Sequence, residues 1–401
     1  MNALIEAIES LTIDEAQVVD LTQRLVRIPS VFRPEDGLSE APAAELVAEQ
    51  MQSFGWEPKI DEVARGRPNV VSVIEGGLPG PTLLFEGHTD VVTEGDRSRW
   101  TRDPFGGEVE GGRLYGRGSA DMKGGVAAMI CAAEAVRGTG PFPGRIIVAA
   151  LVDEEGLMLG AKDFVARGHA EGIDAAIICE PEGGEVCVAQ KGAIRVRVEA
   201  VGRMAHGAMP DHGANPVPVL ASFVKRVGEL QHELQQTTGS HPHLGLPYIT
   251  PTVFRGGELA QLNVIPGRAE LALDIRTVPA IDHSKLLSSI EDEVEAASTG
   301  EVRLSMEIID DRPASEISED AAVVRALVQA HEEVTGQAPL FGGVPGTTDG
   351  TILWRDAQIP IVVYGPGGKW IAHQVDEFVE VSDLIESAKV FARAAIRFLH
   401  S

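Results

Sequence analysis

Imidazole and carboxylate side chains recur in this chain at the ends of short apolar runs. LLFEGHTD places His88 and Asp90 just after one such run, RIIVAALVDEEG places Glu154 and Glu155 at the end of another, and AAIICEPEG places Glu180 at the end of a third. In an open α/β sheet the carboxyl ends of the strands form the ligand crevice. Three strands that deliver His, Asp and Glu to one edge therefore predict a metal site. An Asp two residues after a His suits a metal-bound imidazole, whose other nitrogen is usually oriented by a carboxylate. Alone, such a pair is more often merely packed or solvated, and it is the convergence of the other strand ends that gives it meaning. Neighbouring glutamates at a strand end point in different directions. One is expected to hold metal and the other to move protons, the division of labour that a hydrolytic metal site needs.

Two further ligand candidates lie apart from these strands. GRLYGRGSADMKGGVAAM has Gly116 and Gly118 but Asp121 where a third glycine would complete G-x-G-x-x-G, and Lys123 lacks the surroundings of a P-loop, so a nucleotide site is disfavoured. Asp121, at the start of a small-residue helix, can instead bridge two cations or serve simply as an N-cap. His373 follows the strand-like run IPIVVYGPGG.

The elements that must hold these groups can be read from periodicity. Val18 to Ile28, Pro42 to Met51 and Met122 to Val136 read as helices. Val70 to Ile74, Thr82 to Phe85, Arg145 to Val152, Ala175 to Cys179 and Ile359 to Tyr364 read as strands. The alternation predicts an α/β domain with a mostly parallel sheet and helices on both faces, formed by residues 1–190 and 311–401. After Lys191 the pattern becomes strictly alternating in AIRVRVEAV, and a helix from Val217 to Leu234 follows. Residues 191–310 are thus expected to form a smaller inserted α+β domain, with Ala321 to Val334 returning as a helix of the first. The stretch TTGSHPHLGLP, inside the insertion, reads as a mobile surface loop.

Composition narrows the partners. The 34 Lys and Arg against 60 Asp and Glu leave a net charge of −26 over 401 residues. A field of that sign repels nucleic acid and anionic membrane surfaces. The three cysteines form no C-x-x-C pair, the first residues lack the basic and apolar regions of a signal peptide, and no apolar run is long enough to span a membrane. The expectation is a soluble, cytoplasmic protein.

GHTDVV, W-x-x-DPF at Trp100 to Phe105, GRGSADMKGG, DEEG, CEP and AHQVDE form an ordered set from residue 87 to residue 377. The set resembles the M20 metallopeptidases and deacylases, which include acetylornithine deacetylase, succinyl-diaminopimelate desuccinylase, aminoacylase and glutamate-releasing carboxypeptidases. The resemblance implies two divalent metal ions, zinc first with cobalt or manganese as alternatives. His88 and Glu180 would hold one, Glu155 and His373 the other, and Asp121 would bridge them. It makes Glu154 the general base and Asp90 the residue that orients His88. MAHGAMPDHGANP matches the family's A-H-x-x-x-P-x-x-G-x-N pattern, in which the residue matching His206 helps stabilise the oxyanion from the partner subunit of a homodimer. The inserted domain becomes the lid and dimerisation domain. Asn263 and Arg276 match residues that hold the substrate, the arginine by gripping a free carboxylate. Gly346, Thr347 and Thr348 in PGTTDGTILW match a loop that faces it.

The implied reaction is hydrolysis of the amide bond of an N-acyl amino acid, in the manner of acetylornithine deacetylase. Desuccinylation, and dipeptidase or carboxypeptidase action on a short peptide with a free carboxylate, are the alternatives within the family. Desuccinylases of the well-known bacterial type carry a basic residue after the Asp-Gly of that loop, where this chain has Thr351. A metal-free ligand binder is disfavoured, since every catalytic position is present. His241 and His243 remain open as substrate contacts on the loop.

Overall fold

In the computed structural model, which describes residues 2–401, successive side chains of the strand Gly77–His88 enter two different cores. Leu83 and Phe85 pack into one and Leu84 into the other, as a strand covered on both faces requires. Phe142–Leu151 divides in the same way, with Ile146, Val148 and Ala150 opposed to Ile147, Ala149 and Leu151. These two strands run parallel with Ala175–Ile178 and Ile361–Val363, in the order Phe142–Leu151, Gly77–His88, Ala175–Ile178, Ile361–Val363. Antiparallel strands extend the sheet on both sides, Arg67–Glu75 and Lys59–Ala64 at one and Val186–Gln190 at the other.

Helices Glu15–Val26, Ala41–Ser53, Gly124–Gly138, Ala322–Thr335 and Val381–Leu399 cover the first core, and Leu159–Ala166 and Gly350–Ala357 cover the second. Helix Gly124–Gly138 lies against the end of the strand that leads to Glu180. A Cβ on Gly125 would meet the Cys179 carbonyl oxygen at 2.0 Å, so only glycine permits that approach. The helix starts later than the periodicity suggests. Asp121 (φ −117°, ψ 96°) and Met122 (φ −133°, ψ 32°) belong to a wound turn, and the N-cap position is Lys123. The N-cap alternative for Asp121 is therefore wrong, because its backbone leaves the helical path before the helix begins.

The chain separates into two compact units, one comprising residues up to Val188 with Glu316–Val344 and Thr348–Ser401, the other Ala189–Ser315 with Pro345–Thr347. The second unit holds an antiparallel sheet in the order Tyr248–Gly256, Arg268–Thr277, Gly192–Val201, Arg303–Arg312. Val196, Val198, Leu271, Leu273 and Ile275 pack with Leu220, Phe223 and Val227 of helix Pro216–Thr238 and with Ile290 and Val294 of helix His283–Ala297. Asn215 and Asp282 cap these two helices through their first-turn N–H groups. The segment read as a mobile loop is instead a closed turn. His241 and Gly245 exchange backbone hydrogen bonds, and Leu244 is buried with Ala189 and Val278.

All three cysteines are buried free thiols. Among the described residues no helix is long and apolar enough to cross a membrane.

Candidate metal centre

The four parallel strands send their carboxyl ends to one edge, and each contributes a ligand candidate there. His88 closes Gly77–His88, Glu154 and Glu155 follow Phe142–Leu151, Glu180 follows Ala175–Ile178, and His373 stands on the long loop after Ile361–Val363. Asp121 joins them from the turn before Gly124. One cluster comprises His88, Asp121 and Glu180, with His88 Nε2 3.1 Å from Asp121 Oδ1 and 3.7 Å from Glu180 Oε1. The other comprises Asp121, Glu155 and His373, with His373 Nε2 3.2 Å from Asp121 Oδ2 and 2.8 Å from Glu155 Oε1. The two oxygens of one carboxylate thus serve two separate clusters, the geometry of a bridging ligand.

The tautomers and charges fit two cations. His88 Nδ1 lies 3.0 Å from the Asp90 backbone carbonyl, which can only accept, so Nδ1 carries the proton and Nε2 offers its lone pair to the cluster. Burial opposes charge on His88, but hydrogen bonding to Asp121 and Asp90 outweighs it and holds its pKa well above the usual imidazole value. His373, facing Asp121 and Glu155, is raised to about 10. Each Nε2 faces carboxylate oxygens, and imidazole nitrogen with carboxylate oxygen makes a donor set for zinc, cobalt or manganese.

The Asp90 side chain makes its closest contacts away from His88. Its carboxylate is 3.5 Å from His88 Nδ1, farther than its own carbonyl, and instead accepts the Glu154 N–H at 3.2 Å and the Glu155 N–H at 3.1 Å. Asp153 is left-handed (φ 66°), and that turn aims both N–H groups at Asp90. The glutamates then part. Glu155 meets His373, whereas the Glu154 side chain takes no hydrogen bond among the described residues. Burial, with Glu155, Asp349 and Asp121 nearby, pushes the Glu154 carboxyl well above the usual range despite the opposing pull of His88.

Arg67 supports the same turn. It is buried between Glu40 and Asp153, 2.6 Å from Asp153 Oδ1, while Asp153 Oδ2 accepts the N–H groups of Leu157 and Leu159. Periodicity gave no sign of this network, in which Arg67 reaches 27 residues back to Glu40 and 86 residues on to Asp153.

In the second unit His206 and Asn263 are neighbours. Ala205–His206 pairs with Val264–Ile265, and the Gly207 N–H donates to the Asn263 carbonyl at 2.6 Å. Both residues are exposed. His206 Nδ1 accepts the Ala208 N–H at 3.0 Å, so the neutral ring carries its proton on Nε2, as a donor. Arg276 is half-buried and forks onto Asp274, at 2.6 and 3.1 Å. Gly346 and Thr347 are half-buried; Thr348 is buried, its hydroxyl accepting the Gly350 N–H at the start of helix Gly350–Ala357. His241 Nδ1 accepts the backbone N–H groups of His243 and Leu244.

A mostly parallel α/β sheet whose strand ends gather two imidazoles and several carboxylates into two candidate metal-ligand groups that share Asp121 defines the class of metal-binding hydrolases. Residues 84–397 match the peptidase family M20/M25/M40, and the chain belongs to that family. It is an enzyme, a metal-dependent hydrolase of amide bonds.

Among similar proteins, a succinyl-diaminopimelate desuccinylase of Methylobacterium sp. (strain 4-46) is 33% identical, over 93% of this chain and 94% of its own. Another, from Cereibacter sphaeroides (strain ATCC 17029 / ATH 2.4.9), is 34% identical over 94% and 97%. The M20 family metallo-carboxypeptidase of Sulfolobus solfataricus shares the fold with TM-score 0.79 at 19% identity, covering 96% of this chain and 100% of its own. A dinuclear metal-binding M20 peptidase of Bacillus subtilis does so with TM-score 0.70 at 16% identity, covering 96% and 98%.

Proposed function

We propose that the protein hydrolyses the amide bond of an N-acyl amino acid with a free carboxylate, with Glu154 as general base. The observation that carries this reading is Asp121, whose two oxygens face separate His and Glu clusters within about 3 Å of each imidazole. His88 and Glu180 would hold one divalent cation, Glu155 and His373 the other, and zinc suits the donors best. When bound, the cations supply Lewis acidity toward the scissile carbonyl and acidify water. Glu154, whose side chain takes no hydrogen bond among the described residues and whose pKa is raised, takes the proton of the attacking water and returns it to the leaving amine. The Nε2–H of His206 donates to the developing oxyanion.

Arg276 reads the substrate carboxylate. Its second fork edge is open to a bidentate partner while Asp274 holds the first. Thr351, buried in the first turn of Gly350–Ala357, presents no cation to a second, acyl carboxylate, which favours a neutral acyl group. The names of the relatives favour N-succinyl substrates, and that is the second reading.

A panel of N-acetyl, N-succinyl and aminoacyl amino acids, with products identified by mass spectrometry, tests both. The expected result is turnover of N-acetyl substrates and loss of turnover when the α-carboxylate is amidated. Preference for N-succinyl substrates would establish the second reading, and indifference to amidation would remove Arg276 from its role.

The second unit is proposed to serve as lid and dimerisation domain, with His206 acting on the partner's site. Mixing inactive His206→Ala and Glu154→Gln protomers under subunit exchange should restore part of the activity. One site of each mixed dimer then combines an intact base with an intact histidine. No recovery, with exchange confirmed, would place His206 in its own chain's site.

A further inference from the structure

The two ligand clusters are built differently. His88 and Glu180 sit at the ends of adjacent parallel strands, and both are buried. His373 lies ten residues beyond Val363, in the left-handed conformation (φ 65°), with half of its side chain exposed. Strand ends fix two of the three ligands of the first cluster, whereas the second depends on whatever holds the His373 loop to the Asp121 turn.

A buried ion pair makes that connection. Strand Phe378–Glu380 pairs with Arg113–Tyr115, and the Gly116 N–H donates to the Glu377 carbonyl at 2.8 Å, which sets Glu377 beside the turn that carries Asp121. The Glu377 side chain is fully buried, and its Oε1 accepts three backbone N–H groups, from Gly118 at 3.0 Å and from Ala120 and Asp121 at 3.1 Å. Its Oε2 takes Nη1 of Arg117, whose Nη2 donates to the His373 carbonyl at 3.2 Å. Arg117 is itself buried, with its guanidinium carbon 5.3 Å from the Trp100 ring centroid. One acid and one base thus tie the backbone of the bridging ligand to that of the most exposed ligand, and touch neither His88 nor Glu180.

We infer that Glu377 and Arg117 are positioning residues that set the affinity of the second cation position, Asp121 with Glu155 and His373, and leave that of the first largely unchanged. The inference rests on the dinuclear reading above. Outer partners of metal ligands typically contribute about 10- to 100-fold in metal affinity, and here that contribution falls on one position of two.

Two substitutions separate the parts of the device. Glu377→Gln retains an oxygen for the three N–H groups but turns an amide donor toward Arg117. Arg117→Lys can still pair with Glu377, but a single ammonium lacks the fork that also reaches the His373 carbonyl. Metal-free protein, wild type and each variant, is titrated with zinc by calorimetry. Wild type should show two binding events per chain. Both variants should keep the first within about twofold and weaken the second by about 10- to 100-fold. Excess zinc should restore kcat in Arg117→Lys with KM unchanged.

Equal weakening of both events, or of neither, overturns the inference. If Glu377→Gln does not fold, as judged by circular dichroism, Arg117→Lys decides it alone. A wild-type protein that binds fewer than two zinc ions overturns the dinuclear reading, and this inference with it.

Discussion

Glu154→Gln should lower kcat by roughly 10²- to 10⁴-fold, the usual contribution of a positioned general base, with metal content unchanged. The amide occupies the carboxylate's space but cannot take a proton from water. Its neighbours tolerate the exchange, because the Glu154 side chain holds no hydrogen bond that glutamine would break. Glu155→Gln should behave differently, since Glu155 Oε1 lies 2.8 Å from His373 Nε2 in the second cluster, and its loss should empty that position. Metal analysis beside steady-state kinetics distinguishes the two. If Glu154→Gln loses metal while Glu155→Gln retains it, the roles are exchanged.

Asp121→Ala should have the larger effect, removing activity to background and bringing metal content below one ion per chain. Asp121 contributes one oxygen to each cluster, so a single substitution damages both, whereas Glu180→Ala or His373→Ala damages one. Hydrogen bonds from His373 and His88 hold the Asp121 carboxyl ionised against its burial. Removing it also leaves two buried or half-buried imidazoles without their shared partner. Retention of two ions in Asp121→Ala would show that the bridge is dispensable. Wild-type protein stripped by a chelator should likewise be inactive and recover with zinc, cobalt or manganese.

Much of this was legible in the sequence, because period-two and period-3.6 patterns are local properties of the chain. Strand ends could be found at His88, Glu154 and Glu180 from apolar runs alone, and the rule that ligands gather at the carboxyl ends of parallel strands placed them together. Asp121 as a possible bridge and His373 after the run IPIVVYGPGG were candidates on the residues alone, and the resemblance supplied which ligands would share a cation. Asp121 and Met122 lie in a non-helical turn that the small-residue run concealed, because alanine and glycine leave no periodic signal to mark where a helix begins. The loop around His241 was misread for a related reason. Its polar, glycine-containing composition gives no account of Leu244, which is buried only because distant Ala189 and Val278 meet it.

What only the tertiary structure decided are the contacts between residues remote in sequence. Asp90 grips the backbone of Glu154 and Glu155, sixty-four and sixty-five positions away. Glu377 grips the turn of Asp121, and Arg117 reaches the His373 carbonyl. Ionisable residues carry no periodicity that tells a solvated acid from a buried one. Their roles depend on burial and on the direction of a few N–H groups, which the packed backbone alone determines. Residue types and spacing therefore indicated which groups could bind metal, while the fold determined which carboxylate of the glutamate pair meets His373 and which takes no side-chain hydrogen bond.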